Sequence, residues 1–195
     1  NATASDSIKI EGISADIQFT SRFFSTTTGT GNAAEILIST PRLLVSQFNG
    51  IVSETFSQGE GGNITINASE LLQVDRISTT RQNRNANIST VSFVSGTAGN
   101  INVSTKQLSM LGQNISSANY GIAKGGNVYI SADNITALDG GTIASATLGI
   151  GDGGDVKIDS KSIKLKGINF NNFIPSSLTA SSLGMGNAGN LIVNT

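Results

Sequence analysis

The chain has 195 residues, of which 37% are apolar and 13% charged, with a net charge of −1 and neither cysteine nor histidine. Without these two residue types, disulfide bridges, Cys/His zinc sites and mechanisms that need thiolate or imidazole are excluded. The absence of a basic stripe argues against nucleic acid as a partner. No apolar run approaches the roughly 20 residues of a membrane span, so membrane insertion is not expected.

A short phrase, in which Gly-Asn or a related pair precedes apolar-x-apolar, recurs along the chain. Its first copy is Ser7-Ile8-Lys9-Ile10, and the following copies place Glu35, Asn63, Asn100, Asn127, Asp155 and Asn190 at the position of Ser7. Successive copies are 28, 28, 37, 27, 28 and 35 residues apart. This spacing predicts a repeat of 27–28 residues that carries two insertions.

Each repeat contains two further strand signals. A second apolar pair lies seven residues after the first apolar position, as in Leu108/Met110. Leu71 and Gln73 fall at the equivalent place in their repeat, where the polar Gln73 departs from the pattern. A third apolar position lies twelve residues before the next Asn position, as at Ile115 and Ile143. Strands this short cannot bury their apolar faces alone, but coils stacked about 4.8 Å apart close a continuous core.

These signals predict one all-β domain over residues 1–195, a right-handed parallel β-helix. We expect about six coils, each with three short strands separated by Gly/Asn/Ser turns. One inward column should contain Ile64, Ile101, Val128 and Val156, and Ile115 and Ile143 should stack in another.

Two columns of the repeat were considered as functional features. The first predicts a structural ladder of side-chain amides that bond from coil to coil: Asn63, Asn100, Asn127, Asp155 and Asn190. The preceding glycines are expected to supply backbone conformations that other residues adopt at a cost. The second column is Phe56, Phe93 and Tyr120, which Leu148 and Leu183 continue. It predicts an internal stack, and an outward column able to bind sugar faces is the alternative.

Neither a metal site nor a catalytic site is predicted. Gly151-Asp152-Gly153-Gly154-Asp155 matches half of a calcium-binding nonapeptide repeat, but it occurs once and the other coils carry neutral Asn. The thirteen acidic residues form no cluster on one strand face, as polysaccharide lyases and hydrolases require. We therefore predict no enzymatic activity, no metal and no cofactor.

The two insertions supply the candidate partner contacts. The insertion at about 75–87 carries Arg76, Arg81 and Arg84, and that at about 166–177 carries Phe170, Phe173 and Ile174. Both lie between the second and third strands of their coils, so they should stand clear of the body on one edge. A tolerated surface insertion without a partner is the alternative.

Two phrases carry a family resemblance. Gly-Asn-Ala-Gly-Asn-Leu-x-Val at 186–193 and the stretch at 140–147 resemble repeats of filamentous-haemagglutinin-like exoproteins of the two-partner-secretion type, most like those of filamentous cyanobacteria. The resemblance implies export, passage through an outer-membrane secretion barrel and display as an adhesin or fibre. The family's export motif Asn-Pro-Asn-Gly is matched only by Gln47-Phe48-Asn49-Gly50, without the proline. The chain therefore resembles repeat stalk rather than export domain.

The function expected from the sequence is that of a structural or adhesive stalk or fibre segment, extracellular and on a bacterial cell surface. Both chain ends resemble interrupted coils, which predicts a segment of a longer stalk or end-to-end assembly. The expected partners are the protein itself, or cell-surface and matrix glycans. A polysaccharide-binding or polysaccharide-cleaving β-helix is the alternative.

Overall fold

The structure is a computed structural model that describes residues 1–12, 21–46, 50–75, 87–170 and 172–195. Within those ranges every regular element is a β-strand, and no helix is present. The prediction of an all-β chain is confirmed.

Two parallel sheets contain nearly all the strands. The first sheet consists of β1 (Ala2–Thr3), β2 (Ser7–Ile10), β4 (Ile36–Ser46), β6 (Ile64–Asp75), β8 (Ile101–Leu111), β10 (Val128–Leu138), β12 (Val156–Lys166) and β16 (Leu191–Asn194). The second sheet consists of β3 (Arg22–Thr27), β5 (Gly50–Thr55), β7 (Asn87–Ser92), β9 (Asn114–Asn119), β11 (Thr142–Thr147) and β15 (Ser177–Ser182). A small antiparallel pair comprises β13 (Ile168–Asn169) and β14 (Ile174–Pro175).

The chain alternates between the two sheets, and each strand pairs with the strand one coil away. In the second sheet, β5 lies between β3 and β7, and β9 lies between β7 and β11. All pairings within these two sheets are parallel among the described residues. Parallel pairing between successive coils defines a parallel β-helix, which confirms the predicted fold.

Like residues lie on like residues inside the helix. One column consists of residues that pair in successive strands and are all 0% exposed: Ile64, Ile101, Val128 and Val156. In the second sheet Ile115 pairs with Ile143, and both are fully buried. The predicted inward columns are confirmed. Burying each such side chain contributes roughly 1.5–3 kcal/mol.

The first and second predicted strands of a coil form one continuous strand. In β8 the inward residues are followed by two consecutive exposed residues, Lys106 and Gln107, after which Leu108 is again buried. Two outward residues in succession turn the strand through a corner, where Thr105 Oγ1 donates to the Gln107 carbonyl at 3.1 Å. A coil therefore has two hydrogen-bonded strands where three were predicted, because the main-chain ladder continues around the corner.

The second coil has one extra residue at this corner. Ala68 pairs with Thr40 and Leu71 with Arg42, so β6 has two residues in this interval and β4 has one. The extra residue is a β-bulge, which reverses the alternation of side chains beyond it. Leu72 and Val74 consequently face the core, and the assignment of Leu71 and Gln73 to that position was wrong.

The first repeat also has a different register from the predicted one. Ser7–Ile10 pairs with Arg42–Val45, the far half of β4, and it is Ala2 that pairs with Ile38. The step from Ser7 to Glu35 is therefore not a repeat step. Residues 11–21 separate β2 from β3. Like the two predicted insertions, they form a long connection between a strand of the first sheet and the next strand of the second sheet.

An eight-residue turn of constant length connects the second sheet to the first; we call it the glycine turn. Its copies are residues 28–35, 56–63, 93–100, 120–127, 148–155 and 183–190. Buried hydroxyls fix its path from inside: Thr55 Oγ1 donates to the Gly59 carbonyl at 2.6 Å. Thr90 Oγ1 likewise donates to the Gly99 carbonyl at 2.6 Å.

Glycine is needed in this turn because successive coils approach closely. A Cβ added to Gly126 would lie 2.0 Å from the Gly99 carbonyl oxygen, and one added to Gly154 would lie 2.1 Å from the Gly126 carbonyl oxygen. Neither glycine has a positive φ. The expectation that these glycines supply unusual backbone conformations was wrong: the constraint is steric contact between coils.

Candidate functional site

The Asn/Asp column lies on the outer side of the glycine turn and connects each coil to the next. The Asn63 Oδ1 accepts from the Asn100 N–H at 2.8 Å, and the Asn100 Oδ1 accepts from the Asn127 N–H at 2.8 Å. The series continues from Asn127 Oδ1 to the Asp155 N–H at 2.8 Å and from Asp155 Oδ1 to the Asn190 N–H at 2.7 Å. The donor at each step is a main-chain group, and at the last step the Asn190 Nδ2 also donates to Asp155 Oδ1 at 3.0 Å. The ladder therefore joins side chains mainly to the backbone of the next coil, and side chain to side chain only at that step.

Two isolated bonds of the same kind lie three residues earlier in the same turn, one near each end of the described coils, and were missed in the sequence. Asn32 Oδ1 accepts from the Glu60 N–H at 2.9 Å, and Asp152 Oδ1 accepts from the Asn187 N–H at 2.8 Å. The two aspartates of the calcium-like phrase, Asp152 and Asp155, therefore both accept hydrogen bonds from the following coil. No cluster of three or more potential metal-ligating His, Cys, Asp or Glu residues is found within the described ranges.

The aromatic column is external, so the prediction of an internal stack was wrong. Phe56 is 45% exposed, Phe93 39% and Tyr120 50%. Each residue directly follows an inward residue at the end of its strand: Thr55 is buried before Phe56, for example. Alternation along the strand therefore directs the next side chain outward.

The geometry of the rings limits what the aromatic column can bind. The rings of Phe56 and Phe93 are 4.6 Å apart and inclined by 10°, and those of Phe93 and Tyr120 are 5.5 Å apart and inclined by 11°. The ring surfaces that face each other are covered by their neighbours. A sugar that stacks on a ring face would have to displace this contact, which disfavours the sugar-binding alternative for this column.

Aliphatic side chains extend the aromatic column into a longer apolar surface, which we call the apolar ridge. It adds exposed residues of the glycine turn from the coil of Tyr120 onward: Ile122, Leu148, Ile150, Leu183 and Met185. Main-chain bonds hold these turns in register, as from the Ile122 N–H to the Val94 carbonyl at 2.8 Å. A contiguous exposed apolar surface of this kind is typical of a contact with another macromolecule.

The second insertion contains a small hairpin whose base packs against the preceding coil. β13 pairs with β14, and Asn169 is 4% exposed. The Gly140 N–H donates to Ser176 Oγ at 3.1 Å, which fastens the base of the hairpin to the preceding coil. A Cβ on Gly140 would lie 2.6 Å from Asn169 Cβ, so the hairpin rests directly against the coil.

The tip of this hairpin exposes the predicted contact residues. Phe170 is 77% exposed, Phe173 is 75% exposed and Ile174 is 45% exposed. Phe173 has a φ of 58°, a conformation that is costly for a bulky residue. The other predicted contacts, Arg76, Arg81 and Arg84, lie outside the described residues.

A shallow groove runs over the outer face of the first sheet. One part has a volume of about 320 Å³ and the other of about 270 Å³. The two parts share Asn67 and Ser104 and are therefore continuous. We call this the axial groove, because the residues along it occupy one outward position in successive strands: Ser39, Asn67, Ser104, Ser131 and Asp159.

Tyr129 and a neighbouring ion pair border one end of the axial groove. Tyr129 is 37% exposed and lies between Asn102 and Lys157 of the adjacent strands. Lys157 Nζ is 3.5 Å from Asp159 Oδ2, and Asn194 Nδ2 donates to Asp159 Oδ1 at 2.6 Å. The hydrogen bond from Asn194, followed by the charge of Lys157, lowers the pKa of Asp159 from its ordinary value. This carboxylate is therefore ionised at neutral pH and partly offsets the charge of Lys157.

Comparison of the chain with known proteins finds no matching family model, no matching curated protein and no matching solved structure. In the described part of the chain no helix is long and apolar enough to cross a membrane. The candidate surfaces are therefore interpreted from their own geometry.

The axial groove was not anticipated from the sequence. Ser104 and Ser131 are ordinary outward residues of their strands, and only the register of β8 and β10 places them side by side. The available signal was the residue four positions after each ladder residue, where serine, asparagine or aspartate occurs. Apart from Asp159, that column carries no charged or aromatic residue that would distinguish it from other solvent-facing positions.

Proposed function

We propose that this chain is a structural and adhesive segment of a stalk or fibre on a bacterial cell surface, and that it is not an enzyme. The observation that carries the proposal is the coil-to-coil ladder of the glycine turn. Side chains of one coil hold the backbone of the next in the same way from Asn63 to Asn190. Repetition of one contact along the axis yields a stiff rod, which suits a spacer or fibre.

The apolar ridge supports lateral association of such rods. The exposed side chains of Ile122 and Ile150 occupy the same turn position in adjacent coils and contribute to a strip parallel to the axis. Another copy would present a strip with the same period. Burial of these side chains between copies would stabilise the pair at roughly 25 cal/mol per Å² of apolar surface removed from water.

Absence of catalysis is proposed from the lining of the axial groove. Asp159 is the one carboxylate among its lining residues in the described ranges. Glycoside hydrolysis commonly requires two carboxylates on opposite sides of the scissile bond. Export through an outer-membrane barrel is proposed only from the resemblance of the repeat phrases.

Immunogold electron microscopy of intact native cells tests the location and the fibre together. An antibody against this chain should label extracellular filaments, and an antibody against a cytoplasmic protein serves as the control. Label confined to the interior of sectioned cells would contradict the proposal.

For the ridge, the double variant Ile122→Lys/Ile150→Lys should reduce lateral association in sedimentation velocity, whereas Ser104→Lys on another face should not.

A further inference from the structure

The axial groove has the shape of a site for a chain-like ligand. Its floor crosses five strands, from Ser39 in β4 to Asp159 in β12, at the same outward position in each. Four strand spacings give this floor a length of roughly 19 Å. A depression of this length that is open along its side fits several units of a linear polymer rather than one compact small molecule.

The groups along the groove are suited to hydroxyl-rich ligands. Asn67, Ser104 and Ser131 provide uncharged donors and acceptors at intervals of one strand spacing, about 4.8 Å. Tyr129 adds an aromatic ring with a polar tip beside them, and Asn102 adds a neighbouring amide. An apolar ring flanked by amide and hydroxyl groups matches a sugar, which has both C–H faces and hydroxyl edges.

Peptides and nucleic acids fit the groove less well. Extended peptides are commonly bound by main-chain pairing at a free sheet edge. Here β8 and β10 are paired with each other and with a further strand on their other sides, so the face offers side chains only. Asp159 is ionised beside Lys157, which leaves little net positive charge for phosphates. The same pairing of charges favours a neutral polymer over an acidic one.

We propose that the axial groove binds a neutral polysaccharide, with Tyr129 as the platform for one sugar ring and the Ser/Asn floor as the hydrogen-bonding partner of the adjoining units. This inference deepens the adhesive part of the proposed function by naming its ligand class and its residues. It assigns the contact to the face of the first sheet. The insertion hairpin with Phe170 and Phe173 is not required for it.

Affinity electrophoresis of the whole chain tests the groove. Native gels would contain β-glucan, mannan, xylan or galactan as neutral probes, with alginate and heparin as acidic probes and gelatin as a polypeptide probe. At least one neutral polysaccharide should retard the chain, and Tyr129→Ala should weaken that binding at least about tenfold. Tyr120→Ala removes the other tyrosine of the chain, from the apolar ridge, and should leave the binding unchanged.

A second variant keeps the test decisive if Tyr129→Ala disturbs the fold. Ser104→Leu fills the groove floor from an exposed position and should abolish retardation while circular dichroism and Tm remain close to those of the parent. Retardation by gelatin or heparin alone, by none of the probes, or equally for the Tyr129 and Tyr120 variants would overturn the proposal. Immunogold labelling of cell-surface filaments is independent of these outcomes, so failure of the groove and failure of the stalk function are distinguishable.

Discussion

Two connections of each coil behave in opposite ways. The glycine turn has eight residues in every copy. The other connection leads from the first sheet to the second, and we call it the variable corner. Its length differs between coils: it comprises residues 112–113 in one coil and residues 11–21, 76–86 and 167–176 in others. In the glycine turn, side chains bond to the backbone of the next coil, and glycine carbonyls lie where a Cβ would be. Contacts of one repeated kind hold the glycine turn at a constant length. The contacts at the variable corner differ from coil to coil, as where the Gly140 N–H donates to Ser176 Oγ, and its length can change.

The largest expected effect comes from adding a side chain where coils touch. Gly126→Val places its Cβ against the Gly99 carbonyl oxygen, 2.0 Å away in the unrelaxed geometry. We expect the free energy of unfolding to fall by about 3 kcal/mol or more, since backbone on both sides must move. Urea unfolding measures it. Gly29→Val is the control, because a Cβ at Gly29 meets nothing within 4 Å; equal losses in both variants would refute the steric explanation.

A smaller effect is expected from removing one rung of the ladder. Asn127→Ala removes the acceptor of the Asp155 N–H and should cost about 1 kcal/mol. Hydrogen exchange of the Asp155 amide should accelerate. Asn127→Asp retains the acceptor oxygen, as Asp155 does one coil later, and should protect that amide nearly as well as asparagine. Unchanged exchange in the alanine variant would show that the side chain contributes nothing to the turn.

Shortening the variable corner tests the other half of the comparison. Residues 167–176 can be replaced by Asp-Gly-Gly, the sequence of 139–141 in the coil before. Asn169 is buried against Gly140, and Ser176 Oγ accepts a hydrogen bond from the Gly140 N–H. The replacement should therefore lower the free energy of unfolding by about 1 kcal/mol. Thermal unfolding measures it. Phe170→Ser/Phe173→Ser, which retains the hairpin, should leave Tm unchanged, and a loss as large as that from Gly126→Val would remove the distinction between the two connections.

The smallest effect concerns Glu54, on the outer side of the second sheet. Partial burial raises the pKa of this carboxyl, and the charge of Arg22 offsets the shift only in part. The ionised form is therefore disfavoured in the folded state. The stabilising contribution of the protonated form is present below the ordinary pKa and is lost as the pH rises through the raised value.

Glu54→Gln should consequently raise Tm at neutral pH, and the gain should shrink as the pH falls through the raised pKa and vanish below the ordinary pKa of glutamate. Scanning calorimetry from acidic to neutral pH measures this dependence. The exposed Glu60→Gln serves as a charge-matched control. A gain that is independent of pH would show that the charge of Glu54 is not its cause.

The fold was largely predictable because one spacing repeats. The steps from Glu35 to Asn190 agree with the observed pairing, and the inward column of Ile64 and Ile101 follows from it. The errors came from features that shift the alternation. A single extra residue near Glu70 reversed the pattern, so Leu72 rather than Leu71 is buried. Such a bulge changes no composition, and only the pairing with the neighbouring strand reveals it.

The surfaces were less predictable than the core. Phe56 lies five residues after the inward Ile51, and an odd separation along a strand places two side chains on opposite faces. The alternation therefore indicated an outward Phe56, but the aromatic side chain was taken as a sign of burial. The axial groove depends on Ser104 and Ser131, whose significance arises only when coils are stacked. A sequence pattern strongly specifies the columns that bury apolar groups, because a misplaced core residue is costly. It specifies solvent-facing columns only weakly.

The side-chain ladder of the glycine turn has a direction. At each step the oxygen belongs to the earlier coil and the N–H to the later one, as from Asn100 to Asn127. A finished coil therefore displays oriented acceptors to the coil that follows it in the chain. The coils of one chain can therefore stack in order from the amino terminus, because each folded coil presents acceptors that position the backbone of the next. The order in which the chain is synthesised then matches the order in which its coils fold.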